Sequence, residues 1–157
     1  ALQSFLGTGH VVRNHAQSGR SSRSFIEQGW LDGIARDIRP GDVLLIQFGH
    51  NDEKIEDPAR YNEPSRAFPQ WLMRYVTLAR ERGATLVTTL HQVDVATRFA
   101  RVIGLRGGEL QFDLPSREVT RERLSALYAQ YEHELIGTAS PDDDAPRRTP
   151  AAVMYCR

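Results

Sequence analysis

Val43-Leu44-Leu45-Ile46-Gln47-Phe48-Gly49-His50-Asn51-Asp52 is the stretch on which the reading of this chain turns. An apolar run fenced by Gly41-Asp42 in front and Gly49 behind has the pattern of a buried strand in a parallel sheet. At its carboxyl end the composition switches to a glycine and three polar residues in a row. Open α/β sheets bind ligands at the carboxyl ends of their strands. An Asn presented there behind a flexible glycine is placed to aim a carboxamide donor at a reacting oxygen. His50 is read as a prop of this loop that lies near substrate, and Asp52 as the residue that fixes the loop through backbone hydrogen bonds.

Upstream, Val11-Val12 reads as a short strand that ends in Asn14-His15-Ala16, followed by the polar loop Gln17-Ser18-Gly19-Arg20-Ser21-Ser22-Arg23. Gly19 is the residue in that loop able to take positive φ. Ser24-Phe25-Ile26-Glu27 has capping-box spacing, which predicts a helix from Ser24, with a break possible at Gly29 and an end at Pro40-Gly41. Downstream, Glu53 to Pro64 is charged and aperiodic and reads as a loop. Ser65 opens a helix through Phe68, Leu72, Tyr75 and Ala79 that Gly83 closes, and Thr85 to Leu90 is another β-rich run. Alternation of strand and helix predicts an α/β fold with a parallel sheet. On neighbouring parallel strands, the loops at 14–24 and 49–52 would meet at one sheet edge.

Past Leu90, Arg101 to Leu114 is expected to hold one or two strands turning at Gly107-Gly108, and Thr120 to Leu135 an amphipathic helix closed by Gly137. Residues 138–157, with Pro141, Asp142 to Asp144 and Arg147-Arg148, read as a disordered tail behind a domain of residues 1–137.

The 157 residues suit one domain, and twenty basic against twenty acidic residues leave no net charge to favour nucleic acid or an anionic membrane. No apolar run approaches the roughly 20 residues a bilayer span needs. Ala1 to Gly7 has no basic n-region, no long apolar core and no Met, so it reads as neither a signal peptide nor a natural start, and the compartment stays open between export and cytoplasm. Cys156 is the single cysteine, which excludes an internal disulfide and a multi-thiolate metal site. No cofactor is expected.

Two blocks, Asn14-His15-Ala16-Gln17-Ser18-Gly19-Arg20-Ser21-Ser22-Arg23-Ser24-Phe25 and Gln47-Phe48-Gly49-His50-Asn51-Asp52-Glu53-Lys54, together with Gly41-Asp42 between them, resemble the SGNH hydrolases. The resemblance is to the branch related to rhamnogalacturonan acetylesterases and covers the stretch up to about Leu90. It implies a three-layer, flavodoxin-like parallel sheet, present in part, and hydrolysis of acetyl esters on carbohydrate by a serine nucleophile. Carried onto this chain, it assigns Gly19, through its backbone N–H, and Asn51, through Nδ2, to the oxyanion hole. Arg20, Ser21, His50 and Asp52 fall in supporting or substrate-lining positions. The family's nucleophile block Gly-Asp-Ser and its Asp-x-x-His block do not occur in this sequence, so the chain as it stands is expected to be inactive. Past Leu90, His91-Gln92-Val93-Asp94 departs from the family pattern. The implied partner is an acetylated carbohydrate or other small ester. The alternative is a non-catalytic α/β module that binds a small polar ligand or sugar at the same strand ends.

Overall fold

The computed structural model describes residues 2–90, 92–124, 126–127 and 152–156. Strand β1 spans Val43–Gln47 and β2 spans Thr85–Leu90; they pair in parallel, with Leu44 opposite Leu86 and Ile46 opposite Thr88. A parallel pair needs a long crossover, and helix Ala67–Glu81 lies in that connection and packs on β2. Pro69 is its third residue, where the missing N–H costs no intrahelical bond, and Gly83 at φ +65° follows its C-cap Arg82. The helix starts two residues after Ser65, because the Ser65 amide and hydroxyl are both taken by Glu63 Oε1 (3.0 and 2.6 Å).

Side chains alternate on β1: Leu44 and Ile46 are buried, whereas Val43 and Leu45 are 63 % and 52 % exposed. The expectation of a strand buried on both faces is corrected. Among the described residues β1 is an edge strand with β2 as its one neighbour, and the core packs on one of its faces. Leu86, Thr88 and Leu90 continue that inner face on β2, beneath Phe68, Leu72, Tyr75 and Val76.

The other strands are β3 (Arg101–Arg106), β4 (Glu109–Pro115) and β5 (Ala152–Cys156), giving the order β1-β2-β5-β3-β4. β5 runs antiparallel to both β2 and β3, and β3 and β4 form an antiparallel hairpin. The chain is therefore α/β, but of the pairs described only β1–β2 has the parallel sense expected throughout. The hairpin turns at Gly107 and Gly108, at φ +59° and +85°, the pair of positive angles a tight two-residue turn requires. Residues 152–156 come from the stretch read as a disordered tail and stand inside the sheet; Ala-Val-Met-Tyr-Cys is apolar enough for a strand, a signal that the charged residues before it obscured. The remainder of that stretch, the 137/138 boundary, His91, and Tyr128 to Gly137 lie outside the described residues; 121–124 and 126–127 are helical, as the pattern from Thr120 predicts.

Gly104, on β3, faces Phe112 on β4, and a Cβ added there would stand 2.5 Å from Phe112 Cε1. Overpacking of this kind costs about 1–3 kcal/mol. Gly104→Ala is expected to lower Tm by several degrees, at roughly 2–4 °C per kcal/mol for a chain this size, as read by thermal denaturation. An unchanged Tm would contradict the packing described.

After a five-residue helix at Leu2–Leu6, two further short helices precede β1: Ser22–Glu27 and Trp30–Asp37, separated at Gly29, which takes φ +79°. The Ser22 helix begins two residues ahead of the expected Ser24. Ser21 is its N-cap: Ser21 Oγ accepts from Ser24 N (3.2 Å) and Ser24 Oγ accepts from Ser21 N (2.9 Å), a capping box one turn earlier than the Ser24/Glu27 pattern suggested. Val11 and Val12 form no strand, and Val11 is exposed. Adjacent strands therefore do not bring the two polar loops together.

Candidate functional site

A buried carboxylate brings the loops together instead. Asp52 is 1 % exposed and sits where the chain leaves β1. Its Oδ1 accepts from Ser22 N (3.0 Å), from Ser22 Oγ and from Asn62 Nδ2 (2.6 Å). Its Oδ2 accepts from Ser22 N (3.1 Å) and from Gly49 N (3.1 Å). One side chain thus ties the start of the Ser22 helix, the turn after β1 and the loop at Asn62. An ionised carboxylate can only accept, so it suits a point where donors converge. The same logic fixes the Asn62 amide: its Nδ2 must face Asp52, and it also reaches Arg60 O at 3.2 Å. Below this hub the Tyr75 hydroxyl, fully buried, donates to Ser22 O (2.8 Å). Burial, and then the nearby Asp52 charge, push the Tyr75 phenol well above its usual range and keep it a donor. The Tyr75 ring packs against Phe48 and Phe25, with centroids 5.1 and 6.4 Å away, an aromatic floor beneath the hub.

Around the hub the two glycine-flanked turns converge. Gly19 has φ +72° and Gly49 has φ +128°, backbone settings that L side chains rarely adopt. Asn51 Nδ2 donates to Arg20 O at 3.2 Å, which leaves one of its two protons without a partner among the described residues. Asn51 Oδ1 accepts from an Arg60 Nη (3.4 Å), and the same nitrogen donates to Gly19 O (3.5 Å). Arg60 is in turn anchored through Nε on Asp57 Oδ2 at 2.5 Å, a contact that holds the Asp57 carboxyl below its ordinary range. A cleft of about 190 Å³ opens here, lined by Arg20, Gln47, Phe48, Gly49, His50 and Asn51. Arg20 lines it with a guanidinium whose Nε is buried without a hydrogen-bond partner among the described residues and whose Nη reaches Ser18 O at 3.4 Å.

The residues singled out from sequence are thus neighbours, in different settings. Arg20 and Asn51 line the cleft, Gly19 adjoins it through the Arg60 guanidinium that also meets Asn51, and His50 is exposed at its edge. Ser21 and Asp52 are buried and stand behind it as cap and hub. Sequence reasoning missed Arg60 and Asn62. Both lie in the aperiodic stretch from Glu53 to Pro64, where no spacing rule distinguishes a side chain that reaches inward. Among the described residues no three His, Cys, Asp or Glu are grouped to hold a metal ion, and no helix is long and apolar enough to cross a membrane.

Comparison with known proteins gives two kinds of relative. Rhamnogalacturonan acetylesterase RhgT of Bacillus subtilis is 50% identical over 76 residues, 48% of this chain and 31% of that protein. The probable rhamnogalacturonan acetylesterase YesY of the same organism is 47% identical over 73 residues, 46% of this chain and 34% of its own length. Phosphonates import ATP-binding protein PhnC of Polaromonas sp. is 52% identical over 127 residues, 80% of this chain and 43% of that protein. The chain spans less than half the length of each of these relatives. No family model matches it, and no solved structure does.

Proposed function

We propose that this chain is part of an SGNH-type carbohydrate esterase that removes acetyl groups from a polysaccharide. In this reading Gly19 N–H and Asn51 Nδ2 hold the oxyanion of the tetrahedral intermediate. The observation that carries it is the convergence of Gly19 and Asn51 on one Arg60 guanidinium beside an open cleft. The similarity to rhamnogalacturonan acetylesterases over nearly half of the chain supports the substrate class. A three-layer, flavodoxin-like sheet is the frame we propose for the whole protein. The chemistry is ordinary acyl transfer: a serine Oγ attacks the acetyl carbon, the carbonyl oxygen takes the charge, the sugar hydroxyl leaves, and water releases acetate. It needs a nucleophile, a base and oxyanion donors, and no cofactor. This chain supplies the donors. Nucleophile and base belong to blocks that its sequence does not contain.

The test supplies those blocks. A chimera that joins a Gly-Asp-Ser strand and an Asp-x-x-His segment, taken from a rhamnogalacturonan acetylesterase, to this chain is expected to release acetate from acetylated rhamnogalacturonan, while the chain alone releases none. A folded chimera without turnover would count against the esterase reading.

The second reading is an ATP-binding module, favoured by the PhnC match over most of the chain. Phosphate cradles of the G-x-x-x-x-G-K-[ST] type need a lysine behind a glycine-rich loop. The one lysine here is Lys54, which follows Glu53, and no such loop occurs in the sequence. Titration of the chain with Mg-ATP in a calorimeter is expected to show no heat of binding; saturable binding would put this reading first.

A further inference from the structure

We propose that Arg60 is a positioning residue for the Asn51 carboxamide, which it orients and polarises from behind; the inference rests on the oxyanion role proposed above. Its geometry has three parts. Arg60 Nε is fixed on Asp57 Oδ2, and Asp57 is itself held by Ala59 N on Oδ1 (3.0 Å) and by its carbonyl, which accepts from Arg60 N and Tyr61 N (3.0 and 2.8 Å). The guanidinium plane is therefore set by its own loop before it meets either partner. One Nη then reaches Asn51 Oδ1 and Gly19 O, one residue from each of the two converging loops. A Cβ placed on Gly19 would lie 3.8 Å from that Nη, so the guanidinium rests against the glycine.

The consequence for Asn51 follows from donor and acceptor chemistry. A guanidinium only donates and a backbone carbonyl only accepts. With Arg60 on Oδ1 and the Arg20 carbonyl on Nδ2, flipping the amide would set donor against donor and acceptor against acceptor. The free Nδ2 proton therefore has one direction. A charge-assisted donor on Oδ1 also draws electron density from the amide nitrogen and strengthens its remaining N–H as a donor, the cooperative effect of linked hydrogen bonds. Lysine lacks the planar fork that lets one side chain be braced on Asp57 and still reach both loops.

The test reads Asn51 directly in the full, 15N-labelled chain by nuclear magnetic resonance. In the natural chain the two Nδ2 protons are expected to be well separated in chemical shift, one hydrogen-bonded to the Arg20 carbonyl and one polarised toward the cleft. In Arg60→Met both shifts should move toward the values of a free Asn and their separation should shrink, since the donor on Oδ1 that orients and polarises the amide is gone. Signals of the Phe25, Phe48 and Tyr75 rings should stay in place, which a general loss of structure would not allow. Asp57→Asn, which removes the brace and leaves the guanidinium, should give a smaller shift of the same sign, and it keeps the test decisive if Arg60→Met fails to fold. An Asn51 pair unmoved by either change would overturn the proposal. Because no turnover enters this readout, an Asn51 pair that responds to Arg60 in a chain whose chimera is inactive would remove the esterase reading alone. An active chimera whose Asn51 pair ignores Arg60 would remove the positioning role alone.

Discussion

Asp52→Ala is expected to cost about 3–5 kcal/mol of stability, because it leaves several buried donors without a partner at about 1–3 kcal/mol each. The orphans would be Ser22 N–H, Gly49 N–H and one N–H of the Asn62 amide, whose nitrogen keeps Arg60 O, in a site that Asp52 fills at 1 % exposure. Water cannot rescue them cheaply, since Ser21 and Ser22 above and Tyr75 below are fully buried. Calorimetric melting should show Tm lower by roughly 10 °C or more. Asp52→Asn is a sharper probe. It keeps the volume and one acceptor, but it turns an NH2 toward Gly49 N–H or toward the Ser22 and Asn62 donors, so it should recover only part of the loss. An alanine variant that melts within about a degree of the parent would show that the hub does not carry the junction.

Asn51→Ala has the largest expected effect on chemistry. In the acetate-releasing chimera it should reduce kcat by about 100-fold or more, the usual cost of one oxyanion donor, with KM little changed. The split between kcat and KM follows from the proposed oxyanion role, in which Nδ2 would gain its partner only when the carbonyl oxygen becomes tetrahedral and charged. The variant should also keep its fold, because Asn51 lies at the cleft with only the Arg20 carbonyl and the Arg60 donor to lose, and both are near solvent. Steady-state kinetics on acetylated rhamnogalacturonan measures both constants. A raised KM with unchanged kcat would make Asn51 a ground-state sugar contact and not an oxyanion donor.

The order helix, strand, helix, strand from Ser22 to Leu90 was legible in the sequence because periodicity and glycine punctuation agree there. Phe68, Leu72, Tyr75 and Ala79 at helical spacing all fall in the core, and Gly29, Gly83 and Gly107-Gly108 all mark ends or turns. Three things were not legible. Burial of only one face of β1 depends on what packs on the sheet, and an apolar run does not announce its neighbours. The place of residues 152–156 between β2 and β3 is a non-local pairing that local composition does not encode. The third is how the two loops meet. Sequence pointed to adjacent strands, but Val11-Val12 finds no partner strand, and the junction is made by a carboxylate that collects donors from positions 22, 49 and 62. Of the candidate site, the cleft residues Arg20, His50 and Asn51, with Gly19 beside them, stood out because they lie in two glycine-bearing polar blocks. Arg60 and Asn62 did not, since an aperiodic charged loop gives no warning of an inward-facing side chain.

All of this depends on the turn after β1 touching the Gly19 loop in solution. A nuclear Overhauser spectrum of the labelled full chain measures that contact most directly, through the Asn51 side-chain amide protons. Cross-peaks from these protons to backbone protons of Arg20 and Ser21 are the predicted result. A well-folded chain in which the Asn51 amide shows cross-peaks to its own loop alone, with Gly19 and Arg20 giving none to residues 49–52 or 60, would contradict the account.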